Sequence, residues 1–481
     1  MQQLTMHIDG KPAEAMDGRR FESIDPFLGT AWASLPRAAS ADVDLAVRAA
    51  HKQFVSGDWA RITAAERGLL LHEVGKLIVA EAEHLAELEV RDNGKLMTEM
   101  LGQVRTMAGW FRYFGGLADK VEGAITPADR SGLFHSIRYE PLGVVAAIIP
   151  WNAPLLLTAF KLAPALAAGN TIVIKPSEHA SASSLALSEL FERAGIPPGV
   201  VNVVTGFAAE VGQPLVSHPL VSKVAFTGGQ EGGQAVYQTA ARSLKPVSLE
   251  LGGKTPCIVF EDADLEEAVA GAIRGIFAGG GQTCMASSRL LLHSSIHDSF
   301  VDRLVALARG MKLGNPHLSE TDMGPIATEA QFVKILRCIE DAKAEGAVCV
   351  AGGKSSEQPG TEAGWYVEPT IFTHVRNSMK IAREEIFGPV LAVIKFESEE
   401  EAIEIANDTP FGLAAAIWTR DLRRVMELPS RLRVGTVWVN TCRITSHMAP
   451  FGGFKQSGFG REGGQQSIRE YLAAKSVFIS S

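Results

Sequence analysis

Cysteine is scarce in this chain of 481 residues: five copies, Cys257, Cys284, Cys338, Cys349 and Cys442, scattered and without a CxxC pair. An odd, unspaced set argues against a disulfide framework and against a thiolate zinc site, and leaves most of the five as plain buried thiols. Long apolar runs are also missing. None approaches the roughly 18 residues of a membrane-spanning helix, and the opening stretch MQQLTMHIDGKPAEAMDGRR has no apolar segment of signal-peptide type. Positive charge is in short supply, with 46 Lys and Arg against 54 Asp and Glu and a net charge of −8. A basic face for nucleic acid or anionic membrane is therefore excluded by composition. These absences predict a cytoplasmic protein with no nucleic-acid, membrane or metal partner. Low-complexity tracts and internal repeats are absent as well.

What is present is a globular composition, 46% hydrophobic and 21% charged, with 47 glycines. The length exceeds one ordinary core, so two or three domains are expected. Short apolar runs alternate with helical patterns through the middle of the chain. Strands are predicted over 144–149, 171–175, 200–204, 223–227 and 247–250. Helices are predicted over 154–168, stopped by Gly169-Asn170, over 181–194, near Glu210, and from about 230 to Leu244. Repeated strand–helix units of this length imply a parallel sheet covered on both faces. Such sheets bind ligands beyond the carboxyl ends of their strands, where this chain carries Pro150-Trp151-Asn152, Lys175-Pro176-Ser177-Glu178, Thr205-Gly206 and Thr227-Gly228-Gly229. A second alternating series runs from a strand over 256–260 to about Asn440, with helices near 265–277, 296–307, 328–344 and 400–407. The last residues, 468–479, end in a β-prone stretch.

Four features are candidates for chemistry. Cys284 follows Gly279-Gly280-Gly281-Gln282-Thr283, and a thiolate is a nucleophile when a base or a lowered pKa activates it. Exposed backbone N–H groups beside it would bind an oxyanion; the plain alternative is a buried thiol beside a turn. Asn152 is either an amide donor to developing negative charge or the N-cap of the helix that starts at Pro154, and locally the cap is favoured. Glu250, in Leu249-Glu250-Leu251-Gly252-Gly253-Lys254, is either a base with a raised pKa or a glutamate paired with Lys254. The loop Phe226 to Gly233 is a glycine turn at a helix N-terminus, able to hold phosphate but lacking the GxGxxG fingerprint.

Together these stretches resemble the aldehyde dehydrogenase superfamily over nearly the whole chain. The resemblance rests on Ile149-Pro150-Trp151-Asn152, Lys175-Pro176-Ser177-Glu178, Phe226-Thr227-Gly228, Glu250-Leu251-Gly252-Gly253-Lys254 and Gly281-Gln282-Thr283-Cys284. It continues through Glu384-Glu385-Ile386-Phe387-Gly388-Pro389 and Pro450-Phe451-Gly452-Gly453-Phe454-Lys455-Gln456-Ser457-Gly458. It implies that Cys284 attacks the aldehyde and that Asn152 and the Cys284 N–H hold the oxyanion. Hydride passes to a nicotinamide, and Glu250 activates water, directly or through a relay, to hydrolyse the thioester. NAD is the implied cofactor, with NADP left open. Its implied contacts are Ile148, Ile149, Trp151, Lys175, Ser177, Glu178, Phe226, Thr227, Gly228, Gly229, Leu251, Glu385 and Phe387. Gly229 departs from the serine common in the family, shifting phosphate binding to backbone N–H groups and Gln230.

Implied substrate-funnel positions are Met107, Ala153, Leu157, Phe160, Thr283, Met285, Arg443, Thr445 and Phe451. They suggest an apolar aliphatic or aromatic aldehyde. The alternative is a semialdehyde whose distal carboxylate pairs with Arg443, although a solvated arginine is the commoner role on such a loop. Ala153 stands where an aromatic often stands, which disfavours betaine aldehyde. A CoA-acylating dehydrogenase and a catalytically silent binding protein are the other readings. Glu250 argues against the first, and the intact set Cys284, Asn152, Glu250 and Glu385 against the second. The implied architecture is an α/β fold with a Rossmann-like NAD-binding domain (1–118 and 142–252) and an α/β catalytic domain (253–452). A small β element (119–141 and 453–481) would build a homodimer or homotetramer. The glycines before Cys284 would let the chain turn and keep side chains out of the space over the sulfur.

Overall fold

A computed structural model describes residues 1–480 and contains two large sheets. In the first, five parallel strands run in the spatial order Val247–Glu250, Val221–Thr227, Val144–Ile148, Thr171–Lys175 and Val201–Val203. Strands Val144–Ile148 and Thr171–Lys175 are buried along their whole length, as expected where helices cover both faces. From Val144–Ile148 the chain winds outward in one direction, then returns to its other side as Val221–Thr227. The order therefore reverses between these two strands, and a crevice opens beyond their carboxyl ends.

The helix Pro154–Ala168 leads out of that crevice. Proline opens its first turn and Gly169, at φ +97°, closes it. Proline at the start and a left-handed glycine past the end are physically suited termini. The helix is almost wholly apolar and buried, with Lys161 the single charge inside it. The predicted elements agree with the structure to within a few residues. The helix after Val221–Thr227 ends at Ala241, short of Leu244, whose positive φ of 53° breaks it. The helix near Glu210 begins as a wide turn over Ala208–Gly212 before Gln213–Ser217.

The second sheet has seven strands in the order Val348–Ala351, Thr370–Thr373, Val390–Phe396, Arg289–His293, Pro256–Val259, Ala414–Trp418 and Thr436–Val439. All its pairs are parallel except the first. Each sheet has its own apolar cores, one set around Trp110, Phe111 and Phe160, another around Phe277, Leu290 and Trp418.

The tail is divided more finely than a single β element. Phe454–Lys455 pairs with Phe411–Gly412, and Gly458–Phe459 caps the edge of the first sheet against Val247–Glu250. Leu472–Ser480 pairs antiparallel with Leu133–Pro141, which also pairs with Ala124–Thr126. The terminal strand thus finds a partner within its own chain, and its outer edge stays free. Among the described residues no helix is long and apolar enough to cross a membrane.

Candidate active site

The three glycines before Cys284 take left-handed conformations in succession, at φ +63°, +63° and +69°. Non-glycine residues pay about 1–2 kcal/mol each for that region, so the sequence Gly-Gly-Gly is what permits the turn. At Gly281 the need is for close approach to a neighbouring backbone. A Cβ on Gly281 would meet the Gly388 carbonyl oxygen at 2.1 Å, and one on Gly279 would point at Lys95 and Arg443. The turn lets the cysteine loop press against the backbone of the Glu384–Pro389 segment. Gln282 locks it from below, accepting from Ala327 N at 2.9 Å and donating to Pro325 O at 3.2 Å.

Two cavities meet at Cys284. The first, about 190 Å³, is walled by Trp151, Thr227, Gly228, Gly229, Glu250, Leu251, Glu385 and Phe387. The second, about 580 Å³, is walled by Ala153, Leu157, Phe160, Thr283, Met285, Arg443, Thr445 and Phe451, among others. Asn152, Leu157 and Cys284 belong to both. Burial, together with the Glu385 and Glu250 carboxylates, pushes the Cys284 thiol up to about 12, with Lys95 pulling the other way.

Asn152 is not the helix cap, a position taken by Ala153. Its Nδ2 donates to the Gln282 carbonyl at 3.1 Å. An amide NH₂ has two hydrogens, so one remains for a ligand beside the sulfur. Glu250 is not paired with Lys254 either. Both its carboxylate oxygens are buried without a hydrogen-bond partner. Burial first, and Glu462 second, hold its carboxyl well above the ordinary carboxylate range. Behind it the buried Lys161 ammonium donates to Thr227 Oγ1 at 2.6 Å and to Glu462 Oε1. This pair was not apparent from the sequence, although a lone lysine in an otherwise apolar helix was a visible signal.

A third cavity, about 370 Å³, lies beyond the same strand ends. Ile148, Lys175, Phe226, Val216 and Val236 line it. Lys175 Nζ and Glu178 Oε2 are 2.9 Å apart. Burial works against ionisation of Glu178, but the Lys175 charge and hydrogen bond together with a backbone hydrogen bond outweigh it and keep the carboxyl below its ordinary value. Glu385 Oε1 accepts from Gly253 N at 2.9 Å. Lys334 and Gln331, absent from the sequence reading, donate to the carbonyls of Glu385, Ile386 and Phe387 and hold that segment in place. Trp151 and Phe387 meet edge to face at 5.3 Å.

Three candidates lie elsewhere. Met107 and Ile149 are packed in the core, and the helix Met97–Leu117 instead presents Glu99, Gln103 and Thr106 to the large cavity. Ser177 is buried in the turn after its strand, where its Oγ accepts from His179 N at 3.3 Å. Gln230 is tied to Gln456 at 2.7 Å, so it is already engaged. Arg443 is not a free surface arginine, since its Nη1 donates to the carbonyls of Arg274 and Ala278 at 3.1 and 2.7 Å.

The sequence profile of the aldehyde dehydrogenase family matches residues 13–477. The chain belongs to the aldehyde dehydrogenase family. A lactone-named relative from Acinetobacter baylyi, (Z)-2-((N-methylformamido)methylene)-5-hydroxybutyrolactone dehydrogenase, is 43% identical over all of this chain and 97% of its own length. Betaine aldehyde dehydrogenase of Bacillus subtilis is 43% identical over 98% of this chain and 97% of its own. The NAD+ complex of an aldehyde dehydrogenase from Bacillus cereus superposes with a TM-score of 0.97 at 42% identity, covering 100% of this chain and 97% of that one. The fold is shared with that Bacillus cereus enzyme across the chain.

Proposed function

We propose that this aldehyde dehydrogenase oxidises an aldehyde to the carboxylic acid with NAD, through a thioester on Cys284 that water cleaves. The observation that carries the reading is the meeting of two cavities at Cys284, with an unpartnered Glu250 carboxyl in one of them. The residues fit the cofactor. The apolar third cavity suits an adenine ring, and the Lys175–Glu178 pair suits the ribose hydroxyls. A 2′-phosphate would meet the Glu178 charge, which favours NAD over NADP. The turn Gly228-Gly229 at the start of Gln230–Ala241 offers backbone N–H groups to the phosphates. Glu385 and Phe387 stand where the second ribose would lie.

When bound, the nicotinamide supplies the hydride acceptor. The chain's own residues do the rest. The Cys284 thiolate adds to the carbonyl carbon, and the resulting oxyanion is held by the free Asn152 N–H and the Cys284 backbone N–H. Loss of hydride from that carbon restores the C=O as a thioester. Glu250 takes a proton from water as the water attacks, the C–S bond breaks, and the acid leaves with the thiolate regenerated. In the substrate cavity Leu157, Phe160, Met285 and Phe451 give the aldehyde an apolar path to the sulfur. Ala153 leaves the aromatic cage for a trimethylammonium group incomplete.

The free edge of Leu472–Ser480, with Phe478 and Ile479 exposed, is the surface we assign to self-association as a dimer or tetramer. The test is single-turnover NADH formation. Cys284→Ala abolishes the signal while NAD still binds, and Glu250→Gln keeps the first-turnover burst while steady turnover falls. Loss of the burst in Glu250→Gln, or acceleration of the parent's turnover by CoA, would overturn the hydrolytic route.

A further inference from the structure

We propose that the substrate is an aldehyde bearing a carboxylate at its far end, held by Lys95 and Arg443. The inference rests on Cys284 being the nucleophile and adds the substrate class. Lys95 follows Asn93-Gly94 at the end of Ala82–Asn93, and its side chain reaches the large cavity with only 4% of the residue exposed. Among the described residues its ammonium has no hydrogen-bond acceptor and no ion-pair partner. A buried ammonium is normally paired, because removing it from water costs far more than a neutral group. Here burial, with the Arg443 charge, pushes it down to about 8 against the pull of the Glu99 and Glu89 carboxylates.

Arg443 faces it. The left-handed backbone at Arg443, φ +58°, is a strained state for a non-glycine residue and persists only where its surroundings impose it. The Arg274 and Ala278 carbonyls hold Nη1, which leaves the other edge of the guanidinium open. Arg443 Nη2 and Lys95 Nζ lie 3.8 and 3.7 Å from the point a Cβ on Gly279 would occupy, so the two cations converge over that glycine. Among the described residues Glu99 is the one carboxylate lining the cavity; one of its oxygens accepts from Gly279 N at 2.9 Å and the other is buried without a hydrogen-bond partner. Against it stand Lys95, Arg443 and the more exposed Arg274. A neutral aldehyde leaves that excess positive charge unanswered, and a cationic one is repelled by it. An ω-oxo acid answers it: the apolar stem lies along Leu157, Phe160 and Met285, and the carboxylate accepts charge-assisted hydrogen bonds from both cations.

The test compares ω-oxo carboxylic acids of several chain lengths with their methyl esters as substrates. The parent enzyme should favour the acid, and Lys95→Met and Arg443→Met should each lower the acid-to-ester ratio of kcat/KM by about 10- to 100-fold, the worth of a charged hydrogen bond, mainly through KM. Lys95→Arg and Arg443→Lys, which keep the charge, should retain part of the preference. Calorimetry with a dicarboxylate, the class of the product, should show binding that the Met variants lose. Turnover of esters and alkanals with no preference for acids would sink this proposal and leave the Cys284 reading standing. An unchanged ratio in the Met variants, with loss on every aldehyde and a shifted pH profile, would show that the two cations tune Cys284 instead, and would also overturn it. Absence of NADH from every aldehyde would overturn the Cys284 reading and this inference together.

Discussion

Replacing Gly281 with alanine asks whether the glycine turn is what positions the nucleophile. Two costs add at that residue. Alanine at φ +69° costs about 1–2 kcal/mol for the left-handed backbone alone. Its Cβ would also lie 2.1 Å from the Gly388 oxygen and 2.4 Å from the Gly388 carbon. Carbon–oxygen contacts settle near about 3.3 Å or beyond, so the two segments must part by about an ångström. One segment carries Cys284 and the other carries Glu385 and Phe387, so either movement disturbs the site. A misplacement of about 1 Å costs roughly 100-fold in rate. Gly346→Ala is the control, with φ +91° and open space around the added carbon. It should show the backbone cost in a denaturant titration and leave the NADH burst unchanged. Gly281→Ala should show a similar or larger stability loss together with a burst slowed by about 100-fold. A Gly281→Ala burst within about threefold of the parent, far short of that misplacement cost, would refute the reasoning.

Removing Lys161 as Lys161→Met should destabilise the protein by about 3–5 kcal/mol, because the buried Glu462 carboxylate loses its partner; urea titration measures it, and a neutral result would contradict that account of the pair. The rate should rise with pH through the neutral range and still be rising on the alkaline side. Cys284 and Glu250 both act without their protons, and burial raises both pKa values. A pH profile of kcat/KM already level at the acid end would contradict those shifts. Gly229→Ser should fold normally, since φ there is −72° and a Cβ meets nothing within 4 Å. Its hydroxyl should lower the KM for NAD by about three- to tenfold, the worth of one hydrogen bond; an unchanged or raised KM would show that the phosphates lie out of its reach.

Much of the fold was legible because its signals are local. Pro154 and Gly169 mark the two ends of their helix through fixed φ and a left-handed stop, and the buried parallel strands read as uninterrupted apolar runs. The proposed oxyanion donor Asn152 and base Glu250 were legible as residue types at strand ends, and the proposed nucleophile Cys284 as a thiol after a glycine run. Their roles were harder to read. Local chemistry favours Asn152 as a helix cap, yet its amide bonds the carbonyl of Gln282, 130 residues away. Glu250 and Lys254 look like a pair four residues apart, yet Glu250 faces Glu462 and Lys161. The three glycines read as clearance above a sulfur, and the structure adds that Gly281 closes against the Gly388 carbonyl of a distant loop.

The sequence by itself determined the elements and the family and marked the candidate reacting groups, because helix ends, strand burial and thiol chemistry depend on near neighbours and residue type. The tertiary structure alone decided which charges stand opposite one another. Lys161 meets Glu462 across 301 residues of chain, and Lys95 meets Arg443 over Gly279. Electrostatic energy depends on distance and on exclusion of water, and neither is set until the sheets, helices and loops have packed.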